Sequence, residues 1–301
     1  MSALLWRLLR IPLVVAVIWA VLAYLVPIAM EHYTPFIVRP GIPCRGSEVV
    51  FINGVLAPRT GGTCLSLAEL YGKPFFELFG DAMFRSLALL AGAAILALTL
   101  GTLLGVSAAL LRRRALMSGG IVAVTSLLTA VPSFFVAYFL QIAVIVVGAS
   151  AIAEGGRLLP VYGFGYDEHL VLPLIALSLP AIAYTAQLTA TRMQEVLDSD
   201  FVNVANAKGL RTSWILAVHV LPHVRPVLLE ALGSGLRVSV ASLPIVEFLF
   251  NWRGIGELAL AAVGVKDAPG LVFTAVVLAA LFAVLSAIAD LSRPRALYRP
   301  L

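Results

Sequence analysis

The sequence predicts an all-α polytopic membrane protein with six transmembrane helices and both termini in the cytoplasm. Three observations carry this. First, 61% of the 301 residues are hydrophobic and 12% are charged, with a mean hydropathy of +1.00; soluble domains carry roughly twice that charge, about 25%. Second, the apolar residues gather into six runs, and about 20 apolar residues of helix cross a hydrocarbon core. Third, the basic residues are shared unevenly between alternate loops. The composition excludes a soluble enzyme, a disordered tail and a nucleic-acid-binding domain. The 24 glycines and 17 prolines are scattered without period, which excludes collagen and low-complexity chains.

The runs are Leu8 to Ile28, Ser86 to Leu111, Ile121 to Gly148, Leu170 to Thr191, Val227 to Phe250 and Leu271 to Leu291. Arg7 precedes the first. Arg112, Arg113 and Arg114 stop the second, and Arg192 stops the fourth. The first run exceeds the apolar core of a signal peptide and no A-x-A site follows it, so it reads as a span. With the N-terminus inside, 13 of the 21 basic residues and 5 of the 16 acids fall on the inner side. The positive-inside rule then places both termini in the cytoplasm. The pI near 9.5 reflects these anchors and needs no nucleic acid.

The chain divides into a first span (1–30), an extracytoplasmic loop (31–85), a core with five spans (86–295) and a short cytoplasmic tail (296–301). The outer loop holds both cysteines, Cys44 and Cys64. In an oxidising compartment the expectation is a disulfide between them, the alternative being two free thiols. Asn53-Gly54 and Gly61-Gly62 read as turns. Lys73 to Arg85 mixes aromatic and charged residues and reads as an interfacial helix leading into the second span.

The inner loop 193–225 is longer than a turn requires. Asp198, Ser199 or Asp200 is placed to cap a short helix through Phe201 to Ala207, and Gly209 to end it. A second short helix, Ser213 to Val220, is expected to end before Pro222. Two short helices hinged at a glycine, with the small Ala205 and Ala207, make a knob at the membrane surface. The alternative is an amphipathic linker.

This loop resembles the EAA loop of ABC importer permeases, E-A-A-x-x-x-G-x9-I-x-L-P, in the dipeptide/oligopeptide/nickel branch. Ala205 stands four residues before Gly209, and Leu221-Pro222 stand twelve and thirteen after it. Phe201, Ala205, Ala207, Lys208, Gly209, Leu210 and His219 fit the branch's "Y-V-x-x-A-x-A-K-G-L … H" version. Val204 replaces the first alanine of the triplet, and His219 its isoleucine. Glu247 to Pro269 is similar to the segment "E-x-x-F-x-x-P-G-L-G … D-x-P": Glu247, Phe250, Gly254, Gly256, Asp267 and Pro269 match, with Arg253 where the family usually has proline. Asp290 and Pro294-Arg295 resemble the closing "D … P-R". The likeness covers about Phe79 to Arg295 and leaves out 31–76.

The resemblance implies a type I importer permease working by alternating access. It implies a second homologous permease subunit, two cytoplasmic ATPases that bind ATP and Mg, an extracytoplasmic solute-binding protein, and a lipid surround. Phe201, Ala205, Ala207, Lys208, Gly209, Leu210, His219, Leu221 and Pro222 would form the ATPase-coupling loop. Glu247, Phe250 and Asp267 are candidate gate or pathway residues. Di- and oligopeptides are the expected cargo, with nickel chelates and oligosaccharides as alternatives within the branch.

Glu230 and Arg237 also fall in the fifth run, two turns apart on one face, and read as interfacial groups that snorkel. Pro132, Pro173, Pro180 and Pro244 lie inside spans. No G-x-x-x-x-G-K-[ST] loop occurs, so this chain is expected to bind no cofactor of its own. His32, His169, His219 and His223 do not form a metal-ligand pattern, and no catalytic constellation is seen. A stand-alone secondary transporter or channel remains the competing class, but such a protein has no ATPase for a coupling loop to meet.

The cysteine expectation is directly testable. Non-reducing intact-mass analysis should find the protein two hydrogens lighter than its reduced form, and two thiols alkylated in the native protein would reject the bridge.

Overall fold

Helices dominate, as they must where backbone groups cannot bond to water. The computed structural model describes residues 3–32, 49–52, 55–58, 67–153, 159–265 and 267–292. In chain order the helices are α1 (Ala3–His32), α2 (Leu67–Tyr71), α3 (Phe75–Leu96), α4 (Thr102–Leu110), α5 (Ala115–Ala130), α6 (Ser133–Ala153), α7 (Val171–Leu197), α8 (Asp200–Ala207), α9 (Thr212–Trp214), α10 (Leu221–Phe250), α11 (Ile255–Val265) and α12 (Ala268–Ser292). Wider π-helical turns at Ala97–Gly101 and Ile215–Val220 join α3 to α4 and α9 to α10.

Among the described residues, five helical stretches are long and apolar enough to cross a membrane: Pro12–Ala29, Phe75–Leu110, Glu168–Leu197, Thr212–Phe250 and Ala268–Asp290. The expected third span is a pair, α5 and α6, meeting at a bend of 101°, and the count reaches six when this pair is taken as one span. The cause is local. Pro132 excludes its predecessor from the helical region, and Val131 is extended, with φ −89° and ψ 120°. Pro173 and Pro180 lie in α7 and Pro244 in α10, with helix on both sides.

Two further expectations are revised. Residues 75–85 are the first turns of the second span's own helix, Phe75–Leu96, rather than an interfacial helix leading into it. The loop 31–85 contains a small antiparallel hairpin, β1 (Val49–Ile52) with β2 (Val55–Pro58), in which Ile52 pairs with Val55. Asn53 and Gly54, read above as a turn, lie outside the described residues. Cys44 and Cys64 lie outside the described residues.

The chain forms two compact units. One comprises Met1–Ala88, Pro160–His169 and Leu243–Ala283. In it α2 packs on α11, and Phe75 and Phe79 meet Phe273 of α12 edge-on at 5.2 and 4.7 Å. The other comprises Leu89–Leu159, Leu170–Ser242 and Val284–Leu301. Its axis is α7, against which α4, α5, α6 and the first π turn all pack. The buried face of α7 is mostly small: Ala176, Ser178, Ala181, Ala183, Thr185, Ala186, Thr189 and Ala190. Between helices in lipid, close van der Waals approach replaces the hydrophobic drive, and small residues permit it. Gly105 of α4 shows how close the approach is, since a Cβ there would stand 2.6 Å from the Ala186 carbonyl oxygen.

A Gly105→Leu change should therefore force α4 off α7. Thermal unfolding of the detergent-solubilised protein should begin several degrees lower than wild type. Gly119→Leu, where a Cβ meets nothing within 4 Å, should change it little.

Candidate functional site

The knob between α7 and α10 is built as two faces. Ser199 occupies the N-cap of α8 with extended backbone, but its hydroxyl donates to the Val196 carbonyl at 2.5 Å and leaves the first turn uncapped by a side chain. Asp198 instead pairs with Arg112 at 2.5 Å, tying the end of α7 to the segment after α4. At the far end of α8 the Gly209 N–H donates to the Asn206 carbonyl at 2.9 Å and the Leu210 N–H to the Ala205 carbonyl at 3.3 Å. These are the paired bonds of a Schellman stop, which needs a left-handed residue between them; Gly209 supplies it with φ +73°.

The inward face buries Val202, Ala205, Ile215, Val220 and Val224 together with Met193, Val196 and Ala109. The outward face keeps large apolar groups in the open: Val204 is 52% exposed and Trp214 57%, and Phe201, Leu210, Val218 and Leu221 are exposed too. Ala207, Lys208 and Pro222 share this exposure. Phe201 stacks on His223 at 5.2 Å, and His223 Nδ1 donates to the His219 carbonyl at 2.8 Å. Exposed apolar clusters of this kind mark surfaces that meet a partner or a membrane.

The second short helix does not stop before Pro222 as expected. Helix runs unbroken from Thr212 to Phe250. A proline ring collides with the carbonyl four residues back, here Val218. Val218 sits in the π turn Ile215–Val220, whose wider winding makes room for the ring.

The candidate pathway residues belong to the other unit, where two of them hold helix starts. Glu247 is fully buried. One carboxylate oxygen accepts the Gly256 and Glu257 N–H groups at 2.8 and 3.1 Å, and the other accepts the Ser86 hydroxyl. Ser86 Oγ in turn accepts the Ile255 N–H at 2.8 Å. With Leu258 N–H on the Gly254 carbonyl at 3.0 Å, every N–H opening α11 has an acceptor. Gly254 and Gly256 make the approach possible: a Cβ at Gly254 would lie 2.1 Å from a Glu247 oxygen, and one at Gly256 would lie 2.6 Å from Pro244 Cα.

Asp267 repeats the device at α12. One oxygen accepts the Gly270 N–H at 2.9 Å and the other the Leu67 N–H at 2.8 Å. Phe250 is buried, and its carbonyl accepts the Gly163 N–H at 2.8 Å. The roles of Ser86 and Trp252 are not apparent in the sequence. Fully buried Trp252 donates from Nε1 to the Arg85 carbonyl at 3.1 Å and packs edge-on against Phe164 at 4.9 Å. Arg85 lies over that same Phe164 ring, 4.2 Å from its centroid. Among the described residues no group of three His, Cys, Asp or Glu side chains is placed to hold a metal.

A helical, multi-pass membrane subunit with an exposed apolar knob has the makings of a translocation component. The chain belongs to the family of binding-protein-dependent transport system inner membrane components, whose model matches residues 101–297. It is accordingly a permease subunit of an ABC importer of the inner membrane. It is 31% identical over 237 residues to the di/tripeptide transport system permease protein of Pseudomonas aeruginosa, covering 72% of this chain and 69% of that one. It is 28% identical over 227 residues to a putative peptide permease protein of Brucella suis, covering 74% and 70%. With the metal-staphylopine import system permease protein of Staphylococcus aureus it shares 28% over 220 residues, covering 73% and 68%. Among solved structures, the inward-facing MetNI methionine ABC transporter matches with a TM-score of 0.59 at 17% identity, over 75% of this chain and 99% of that one; this likeness shows the fold.

Replacing Glu247 tests the capping circuit. Each buried donor left without an acceptor costs about 1–3 kcal/mol, so Glu247→Ala should lower the thermal midpoint markedly and reduce the yield of folded protein. Glu247→Gln keeps one acceptor oxygen and should lose less. Equal midpoints for the two variants would reject the capping role.

Proposed function

We propose that this chain is one of two permease subunits that carry di- and oligopeptides inward, and that the knob around α8 is where ATP hydrolysis is coupled to transport. The observation that carries the coupling role is the exposed face of Phe201, Val204, Trp214 and Val218, rigidly backed by the buried cluster around Ala205. Such a face suits a groove in a cytoplasmic ATPase. A stand-alone transporter has no partner for it. The peptide cargo rests on the relatives named as peptide permeases. A metal chelate is the second reading, favoured by the staphylopine-system relative.

In this mechanism two ATPase subunits bind ATP and Mg and close on each other, and the knobs move with them. A solute-binding protein supplies peptide at the outer face. Closure reorients the spans because the ATP-bound pair binds the outward-open arrangement better, since equal affinity for both states shifts nothing. Cargo is released inward when hydrolysis relaxes the pair.

Gly209→Val tests the coupling role. Nothing lies within 4 Å of a Cβ at Gly209, so the damage comes from backbone strain alone, about 1–3 kcal/mol for a branched residue held at positive φ. The expected result is an assembled importer in which substrate no longer stimulates ATP hydrolysis and uptake falls. Ala205→Glu should act alike by forcing a charge into the buried cluster. The exposed Arg114→Gln is the control and should leave uptake unchanged. Wild-type uptake and ATPase stimulation in Gly209→Val would remove the coupling assignment.

A further inference from the structure

Arg237 lies well inside α10, 16 residues after Leu221 and 13 before Phe250, about 24 Å and 20 Å from those ends at 1.5 Å per residue. Its guanidinium donates to Ser234 Oγ at 2.9 Å and to Ser286 Oγ of α12 at 3.5 Å. Among the described residues it has no carboxylate partner. Two hydroxyls orient the fork without neutralising it, and a guanidinium has five N–H donors. Snorkelling accounts for cations near helix ends. A cation this far along a spanning helix faces a cavity or a partner.

The packing of α10 indicates which. Gly235 abuts Ala181 of α7, where a Cβ would stand 2.5 Å from Ala181 Cα, and Gly233 abuts α12, where a Cβ would stand 3.0 Å from the Leu285 carbonyl oxygen. These contacts hold the helix on two sides. Arg237 stands one turn after Gly233, at the edge of the α12 contact, in a stripe with Glu230, Ser234 and Ala241 at helical spacing. Between Glu230 and Ala241 that stripe carries no large apolar side chain. Ala241 is exposed, and Ser234 and Arg237 are half-buried. A lipid-facing surface carries large apolar groups, whereas a polar, small-residue stripe left open by its own chain suits the wall of an aqueous route.

We propose that Arg237, steadied by Ser234 and Ser286, receives the terminal carboxylate of the peptide as it passes, and so favours cargo with a free C-terminus. A planar fork with spare donors matches a carboxylate in two parallel bonds. The proposal rests on the peptide-import reading.

The test is uptake by the complete importer in proteoliposomes, with a peptide and its C-terminal amide each supplied at concentrations that saturate the binding protein. Wild type should take up the free acid faster than the amide. R237Q should lose free-acid uptake by about tenfold, the scale of a charged hydrogen bond, with amide uptake unchanged, so that the preference disappears. R237K keeps the charge and should keep part of the preference, which provides a readout if R237Q fails to assemble. An unchanged acid-to-amide ratio in R237Q overturns the proposal and leaves Arg237 to lipid phosphate or a neighbouring subunit. An equal fall for both peptides overturns it in favour of a structural role, and so does an assembled R237K importer without acid preference. If wild type takes up neither peptide, it is the peptide-import reading that fails, a result distinct from any change confined to the variants.

Discussion

The N–H groups that open α11 are buried, and a buried donor must find an acceptor inside the protein. Residues distant in sequence meet that demand together: Ser86 from α3, Glu247 from α10 and the Gly254 carbonyl before α11 itself. The Ser86 hydroxyl both gives and receives, so the circuit closes on itself. Its compactness explains why glycine stands at 254 and 256, since the carboxylate occupies the space that a Cβ at 254 would fill. Asp267 does the same for α12 with a donor from Leu67. The acids that looked most like gate residues are thus the ones that fix where helices begin.

The other unit joins two physical regimes. Along α7, alanine, serine and threonine, with Gly101 and Gly105 facing them, let helices approach closely, which is the means available between helices in lipid. At the knob, Val202, Ile215, Val220 and Val224 gather a small aliphatic core of the kind that exclusion from water assembles. The change of residue type, from small to branched aliphatic, falls near the end of α7. Met193 and Val196 there belong to the knob's cluster, while Thr189 and Ala186 one or two turns earlier face Gly105.

Much of this was legible in the sequence, for reasons that can be named. Runs of apolar residues mark spans because the hydrocarbon core demands them, and Gly209 marks a helix stop because few other residues take its φ. The break at Val131–Pro132 was not legible as a break. Pro132, Pro173, Pro180 and Pro244 present the same local signal, yet helix runs on around three of them; the outcome depends on packing that a linear pattern does not contain. Pro222 misled for a related reason. The rule that helices end before proline assumes α-winding, and the π turn Ile215–Val220 removes that assumption. The capping role of Glu247 was hidden because its donors come from residues 86, 256 and 257, and the Ser86 partner is 161 positions away.

Arg253 shows how backbone geometry limits the substitutions open to a chain. It holds φ at +58°, and its N–H donates to Glu257 at 2.6 Å. The proline usual at this position in the family can do neither, because its ring fixes φ near −65° and removes the donor. A lineage with arginine here and one with proline are therefore separated by more than a codon. Crossing between them requires the turn from Asn251, itself at φ +54°, to be rebuilt in the same step. A proline placed at 253 in this chain would therefore take a donor from a Glu257 oxygen and strain the turn at once.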